Sequence, residues 1–295
     1  MVTGEAEAQV PPVPGARFRR RVFYIPGYDP FHPRRYRELY RREGADQAAL
    51  SGYDLALSPR AGRMPHGWRV TARIDGQETE TDVEVLVWSD IVRDSMATGI
   101  AATYGQLART AWAYVGSGAL FRLMRLRKGP VIAALYPIAM LLAQAGLALA
   151  SALGVAALAQ ALLPAPAGLV AGWIAGLALG WLMLRLFRRW DGRFFAYYLM
   201  HDYAFSAGQG GANPPALEAR LADFRQRIRA ALDQDWDEVL VVGHSSGAHL
   251  GVSVLADLIR DGLPDRRPAL GFLSLGHVVP MVSFLPRAHR LRADL

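Results

Sequence analysis

Between Lys128 and Arg185 the sequence carries no charged residue. A helix crosses the hydrocarbon core of a bilayer in about 20 residues, so this run is long enough for two crossings. The two prolines of "LPAPAG", Leu163–Gly168, favour a turn and divide it. The spacing predicts a transmembrane helical hairpin over 129–187, with one helix near 131–162 and a second near 168–187. The first is long enough to tilt or to extend past the hydrocarbon. A helical hairpin buried in a soluble protein is the alternative, and the basic clusters that bracket so long an uncharged stretch speak against it. A hydrophobic content of 52% with 20% charged residues suits a chain with a membrane segment.

The flanks give an orientation. Arg122, Arg125, Arg127 and Lys128 precede the run, Arg185, Arg188, Arg189 and Arg193 follow it, and the connecting turn has no basic residue. Cytoplasmic loops hold the excess of Lys and Arg, so both flanks and everything attached to them are expected in the cytoplasm. Lys128 is the one lysine in a chain otherwise rich in Arg, Ala, Gly and Leu. That bias points to a GC-rich bacterial genome, and so to the bacterial inner membrane. Gly172, Gly176 and Gly180 stand four apart on the second helix, as do Gly146, Ala150 and Gly154 on the first. Small residues at that spacing let backbones approach closely. Three readings stay open: the spans pack on each other, the glycines join two copies in a homodimer, or they reflect composition alone. No charged side chain lies within the spans, which argues against ion or proton transport.

Residues 104–128 mix Trp112, Tyr114, Leu120, Phe121, Leu123 and Met124 with arginines. They read either as an interfacial helix on anionic lipid or as an ordinary surface helix leading into the span. Residues 1–15 begin acidic, turn proline-rich and lack the regions of a signal peptide, so a flexible tail is expected there. The net charge of +7 is spread along the chain without a nucleic-acid motif, and no nucleic-acid partner is expected. With no cysteine, disulfides, thiolate metal sites and a cysteine nucleophile are excluded. No HExxH, Walker or dinucleotide pattern occurs, so no metal or cofactor is assigned.

Outside the hairpin the pattern is α/β. In "RRRVFYIPGYDP" an apolar run, Val22–Ile25, ends at Pro26-Gly27 and reads as a buried strand and turn. A helix-spaced segment follows, then three strand-like stretches, "YDLALSP", "WRVTARID" and "VEVLVWSD". Beyond the hairpin, Leu217, Leu221, Phe224 and Ile228 mark an amphipathic helix with Pro215 near its start. "EVLVVG" reads as a buried parallel strand, "AHLGVSVLADLIRDG" as a helix ending near Gly262, and "ALGFLSLG" as another buried strand.

Between that strand and that helix stands Gly243-His244-Ser245-Ser246-Gly247, the pattern G-x-S-x-G. In a chain with 29 glycines the pentapeptide alone says little; its setting carries it. A serine between a strand and a helix sits on a tight turn, and small neighbours let the backbone bend. The next N–H, that of Ser246, lies at a helix N-terminus, where free donors and the helix dipole favour a developing oxyanion. A second donor would come from the loop after an earlier buried strand, and Pro26-Gly27 would turn the N–H of Tyr28 towards the site. The alternatives are an inert strand–helix turn and an ordinary strand-ending turn.

In "VFYIPGYDP", "VVGHSSGAHLG" and "GFLSLGHVVP" the sequence resembles the lipase-like branch of the α/β-hydrolase superfamily. The resemblance covers the soluble regions thinly and the hairpin not at all. It implies an α/β-hydrolase-like, mostly parallel sheet flanked by helices. Residues 16–128 would supply its first part, the hairpin of 129–187 would be inserted, and 188–295 would carry the nucleophile elbow. It also implies an acid and then a histidine after the serine. His249 should point into packing on the elbow helix, His289 sits in a basic tail, and Asp257, Asp261 and Asp265 are remote from the sheet edge. His277, directly after the last strand, is the candidate base. His201 beside Asp202 reads as ordinary packing. The two further strands implied by the resemblance do not appear before Leu295. Either the chain is C-terminally truncated, the expectation we favour, or it departs from the pattern and uses His277 or no base.

The expected function is a membrane-anchored serine hydrolase. Ser245 would attack an ester or thioester carbonyl, with the N–H groups of Ser246 and Tyr28 as oxyanion donors and a lipid-like acyl ester as substrate. A non-catalytic membrane scaffold that binds a partner or acyl ligand is the alternative.

Overall fold

The computed structural model describes residues 17–59, 66–96 and 99–295. The tail expected over 1–15 lies outside them. In chain order the elements are β1 (Phe18–Ile25), α1 (Arg34–Ser51), β2 (Asp54–Pro59), β3 (Gly67–Ile74), β4 (Gln77–Val85), α2 (Ser89–Ser95), α3 (Ile100–Gly116) and α4 (Ala119–Leu126). Then come α5 (Lys128–Ala134), α6 (Tyr136–Leu162), α7 (Ala167–Arg189), α8 (Asp191–Phe194), α9 (Ala196–Gly208) and α10 (Pro215–Leu232). The chain closes with β5 (Glu238–His244), α11 (Ser246–Arg260), β6 (Ala269–Leu275), α12 (Val279–Ser283) and α13 (His289–Asp294). They form two compact units. A sheet unit takes residues up to Asp90, Ala216–Val278 and Asp294–Leu295; a helical unit takes Ile91–Pro215 and Val279–Ala293. The helical unit is thus wider than the uncharged run and includes its basic flanks.

The sheet unit holds one six-stranded sheet in the order β2-β3-β4-β1-β5-β6. β1 runs parallel to β4 and β5, and β5 runs parallel to β6. β3 is antiparallel to both β2 and β4; a two-residue turn at Asp75-Gly76, both at positive φ, returns the chain directly from β3 into β4. The chain leaves β1 towards β4 and leaves β5 towards β6, so the strand order reverses between these two central strands. Crevices for ligands open at such points, outside the carboxyl ends of the strands. β1 and β5 carry Phe23, Ile25, Val239 and Val241, buried at alternate positions, while Val22, Tyr24 and Leu240 on the opposite face are partly buried. The predicted stripe Leu217, Leu221, Phe224 and Ile228 on α10 is buried as well.

β6 differs from the expectation of a buried strand. It is an edge strand, and Phe272, Leu273 and Leu275 are each more than a third exposed. Composition could not separate the two cases, since an apolar edge reads like a covered centre until the neighbours are known.

In the helical unit, α6 and α7 are long and apolar enough to cross a membrane. At about 1.5 Å per residue both exceed the roughly 30 Å of hydrocarbon. Only 22% of the apolar window of each is buried. The inward faces are small residues and the outward faces large apolar ones. Gly168, Gly172, Gly176 and Gly180 of α7 are buried, while Leu169, Ile174, Leu177 and Leu182 are exposed. A β-carbon on Gly172 would lie 2.8 Å from the Ala156 carbonyl oxygen, and one on Gly176 would collide with that of Ala152. The facing residues on α6 are Ala148, Ala152 and Ala156, not the expected Gly146, Ala150 and Gly154; Gly146 and Gly154 have open space around them. The glycines therefore close the hairpin on itself. A homodimer through Gly172, Gly176 and Gly180 would need a face that α6 already covers.

The first expected helix is also broken, into α5 and α6, at Leu135. Pro137 in the first turn of α6 has no N–H to donate backwards, a position where proline is tolerated as a helix starts. The first turns of α6 do not stand free. Leu141 is fully buried in a cluster with Leu107, Ala196, Tyr197 and Met200, so α3 and α9 grip the base of the hairpin. Residues 104–128 form two helices rather than one, since Gly118 at φ 72° breaks the run between α3 and α4.

One polar feature of the sheet escaped sequence reading. Arg21 on β1 and Glu84 on β4 are buried and ion-paired, and Arg227 from α10 reaches the same carboxylate at 3.2 Å. Breaking a buried pair leaves an uncompensated charge. Glu84→Leu should therefore cost about 3–5 kcal/mol in chemical denaturation followed by tryptophan fluorescence. Arg21→Met combined with Glu84→Leu should recover at least half of that. A double variant no more stable than Glu84→Leu would show that the two charges are not coupled.

Candidate active site

Ser245 lies between β5 and α11, as the sequence predicts, with φ 53° and ψ −119°. These are the angles of the first central position in a type II′ turn, where glycine is favoured because a β-carbon is strained. A residue held there costs about 1–3 kcal/mol and persists only where the surroundings leave no other choice. Here the surroundings are backbone. A β-carbon on Gly243 would lie 2.6 Å from the Ala248 Cα, and one on Gly247 would collide with the carbonyl oxygens of Ile25 and Pro26. Both glycines of G-x-S-x-G are thus required by close approach: Gly243 lets α11 fold back onto β5, and Gly247 lets it sit on the end of β1. The Ser245 N–H donates to the Leu275 carbonyl (2.8 Å), and its own carbonyl accepts from the Ala248 N–H (3.1 Å). The turn is tied to the neighbouring strand on one side and to its helix on the other.

The loop after β1 meets this turn. β1 and β5 are in register with Ile25 opposite Gly243, so Pro26-Gly27-Tyr28 leaves the sheet beside Ser245. A β-carbon on Gly27 would be 3.0 Å from that of Ser245 and 3.5 Å from its Oγ. The loop is braced from behind. The Trp88 Nε1–H donates to the Pro26 carbonyl (2.9 Å), and the Trp88 ring packs edge-on against Tyr28, which is buried. Asp29 is committed to the same turn: its carboxylate accepts the Phe31 N–H (2.9 Å) and the Tyr36 hydroxyl (2.7 Å). The structure therefore brings the Tyr28 loop beside the adjacent pair Ser245 and Ser246, from which the sequence places it far apart.

The base is a different matter. Among the described residues the Ser245 hydroxyl has no hydrogen-bond partner. His277 follows β6 after Gly276 (φ 54°) and is exposed, at the same carboxyl edge as Ser245 but not bonded to it. His249 is buried one turn into α11, as expected. His201 is also in packing: its Nδ1–H donates to the Gln106 Oε1 (2.9 Å), not to the adjacent Asp202. Tyr136 and Tyr104 hydroxyls and the Asp191 carboxylate serve backbone groups of the helical unit.

Compared with known families, curated proteins and solved structures, the chain has no match.

Burial lowers the His249 imidazole to about 4, and it is neutral near pH 7. The unfolded chain binds this proton near pH 6.5, so stability from the neutral ring is present above that pH and lost as pH falls towards 4. The loss from this residue should amount to roughly 3 kcal/mol over that window. Desolvation lowers His66 and His201 too, so they add to the same trend. In denaturant titrations at a series of pH values, His249→Met should flatten the profile between 6.5 and 4. An unchanged slope would place the acid sensitivity elsewhere.

Proposed function

We propose that the protein is a membrane-anchored serine hydrolase in which Ser245 is the nucleophile. The strained backbone of Ser245 is the observation that carries this reading. Its hydroxyl would attack the carbonyl carbon of an ester or thioester. The first N–H groups of α11, Ser246 first, stand where a helix N-terminus stabilises negative charge on the carbonyl oxygen, and the Tyr28 N–H would be the second donor. A mostly parallel sheet with both pieces at adjacent carboxyl ends fits the α/β-hydrolase resemblance. His277 is the candidate base, from the strand next to β5. The sheet unit would sit on the cytoplasmic side of a bacterial inner membrane, held there by the α6–α7 hairpin with its basic flanks inside. A tethered site favours a lipid-like acyl ester.

The unbonded Ser245 hydroxyl favours a second reading, a scaffold that keeps the turn and binds an acyl ligand without turnover. A fluorophosphonate probe separates the two, because it marks only an activated serine. In membranes the wild type should label and Ser245→Ala should not. Gly27→Val, which pushes a side chain onto Ser245, should lower labelling at least tenfold. A wild type that stays unlabelled would favour the scaffold.

Since the chain has no cysteine, single cysteines report orientation cleanly. Ala165→Cys, in the turn between the spans, should react with an impermeant maleimide in intact cells. Asp233→Cys, exposed on the sheet unit, should react only after lysis. The opposite pattern would invert the orientation, and reaction of both in intact cells would exclude a cytoplasmic sheet unit.

A further inference from the structure

Within the helical unit a cavity of about 580 Å³ opens between α3, α9 and the segment after α12. Its volume falls in the range of ligand pockets, about 300–1,000 Å³. Two arginines line it, Arg109 on α3 and Arg287 beyond α12, and no acidic side chain does. Several other arginines are engaged: Arg21, Arg69, Arg220, Arg227 and Arg260 all hold carboxylates. Among the described residues the guanidinium groups of Arg109 and Arg287 have neither an ion pair nor a hydrogen bond.

Arg287 is set in place by the backbone. Its N–H donates to the Gly210 carbonyl (2.8 Å), and its stem lies across Gly210, where a β-carbon would be 3.3 Å from its Cγ. Gly210 has φ 65°, so both its conformation and its bareness serve this contact. On α3, Gln106, Arg109, Thr110 and Ala113 line the cavity at helical spacing, one face of the helix. The Gln106 amide oxygen already accepts from His201, so the amide has its NH₂ left to donate. The polar lining is therefore rich in donors, and its charge is uniformly positive.

We infer that this cavity binds a phosphate group, held by the guanidinium groups of Arg109 and Arg287 with the Gln106 amide beside them. Guanidinium matches phosphate geometry with paired N–H donors, and phosphate oxygens only accept. The same chemistry is offered by a phospholipid headgroup and by a soluble phosphate ester. The surroundings favour lipid. α3 and α9 clasp the base of the hairpin, and the Tyr104 hydroxyl donates to the Leu141 carbonyl of α6 (3.1 Å). One turn beyond Arg109, Trp112 is 78% exposed, and Phe121 and Leu126 of α4 are also bare beside Arg122, Arg125 and Arg127. Amphipathic aromatics beside basic residues are the composition of an interfacial segment. The lipid source rests on the hairpin spanning a bilayer; phosphate binding itself rests on neither the hairpin nor Ser245.

The test uses the full chain carrying Ser245→Ala, so that turnover cannot remove a ligand. In one arm, protein from phosphatidylglycerol–phosphatidylcholine nanodiscs is released into native mass spectrometry, and retained lipid is counted. In the other, protein in neutral detergent is titrated with glycerol phosphate. Arg109→Gln with Arg287→Gln should lower phosphatidylglycerol retention at least tenfold; both side chains are exposed, so the fold should tolerate the change. Arg266→Gln with Arg267→Gln, exposed on the sheet unit and outside the cavity lining, should retain it. Glycerol phosphate binding that needs Arg109 and Arg287, without selective lipid retention, would assign the site to a soluble phosphate ester. Binding in neither arm, or equal loss in both pairs of variants, would overturn the proposal.

Discussion

The close approach of Gly247 to the end of β1 governs the carboxyl edge of the sheet unit. With the carbonyls of Ile25 and Pro26 against it, the first turn of α11 can sit only where no β-carbon intrudes. Gly243 imposes the same condition from the strand side, because its own α-carbon faces the backbone at Ala248. Between two such contacts the chain has one way to turn, and Ser245 takes the strained dihedrals that remain. The loop after β1 is caught in the same fit, since Gly27 faces the Ser245 side chain. Strand order makes this meeting possible. β1 and β5 are neighbours at the point where the chain's connections diverge, so their carboxyl ends are left open rather than roofed by a crossover.

The helical unit solves the converse problem. In the sheet unit large apolar side chains such as Phe23, Ile25 and Phe224 go inward, and glycines meet backbone closely at the Ser245 turn. In the α6–α7 hairpin close approach runs the whole length, alanine against glycine, and the large side chains point out. In water that arrangement would forfeit the burial of every outward leucine, at roughly 25 cal/mol per Å² of apolar surface. It is favourable where the solvent is itself apolar and helices associate by backbone packing. The base of the hairpin returns to ordinary packing, with Leu141 covered by α3 and α9. The change from one regime to the other falls between Leu141 and Ala148, where the buried residues shrink from leucine to alanine.

How much of this could be read from the chain depended on whether the deciding partner was local. The stripe Leu217-Leu221-Phe224-Ile228 and the strand–serine–helix order of the turn are local, and both are as the residues imply. The hairpin's length and turn follow from an uncharged run and two prolines. Which face of α6 meets α7 does not: alanines and glycines share that helix, and only contact with the glycines of α7 singles out Ala148, Ala152 and Ala156. The exposure of β6 was hidden for the same reason, since a strand's own residues do not say whether it has one neighbour or two. Arg21 was missed because an arginine in a strand reads as a solvated position until Glu84 lies opposite. Arg109 and Arg287 belong to one cavity only through the fold, and no spacing in the sequence connects them.

The strain at Ser245 also bears on whether the turn is used or merely built. A tight strand–helix turn at φ 53° would be met most cheaply by glycine, which carries no β-carbon to strain. Glycine already stands two residues either side and at the facing position on the β1 loop, so the local chemistry is glycine's. A serine in that slot gives up stability that glycine would keep. Its hydroxyl does not recover the difference, for among the described residues it makes no hydrogen bond. A side-chain cap would explain a serine here, and none is made. What the side chain does have is position: it stands at the open edge of the sheet, beside a braced loop and at the start of a helix. That combination supplies little to the fold, and it is why the hydroxyl, rather than the turn, is the part on which the proposed chemistry rests.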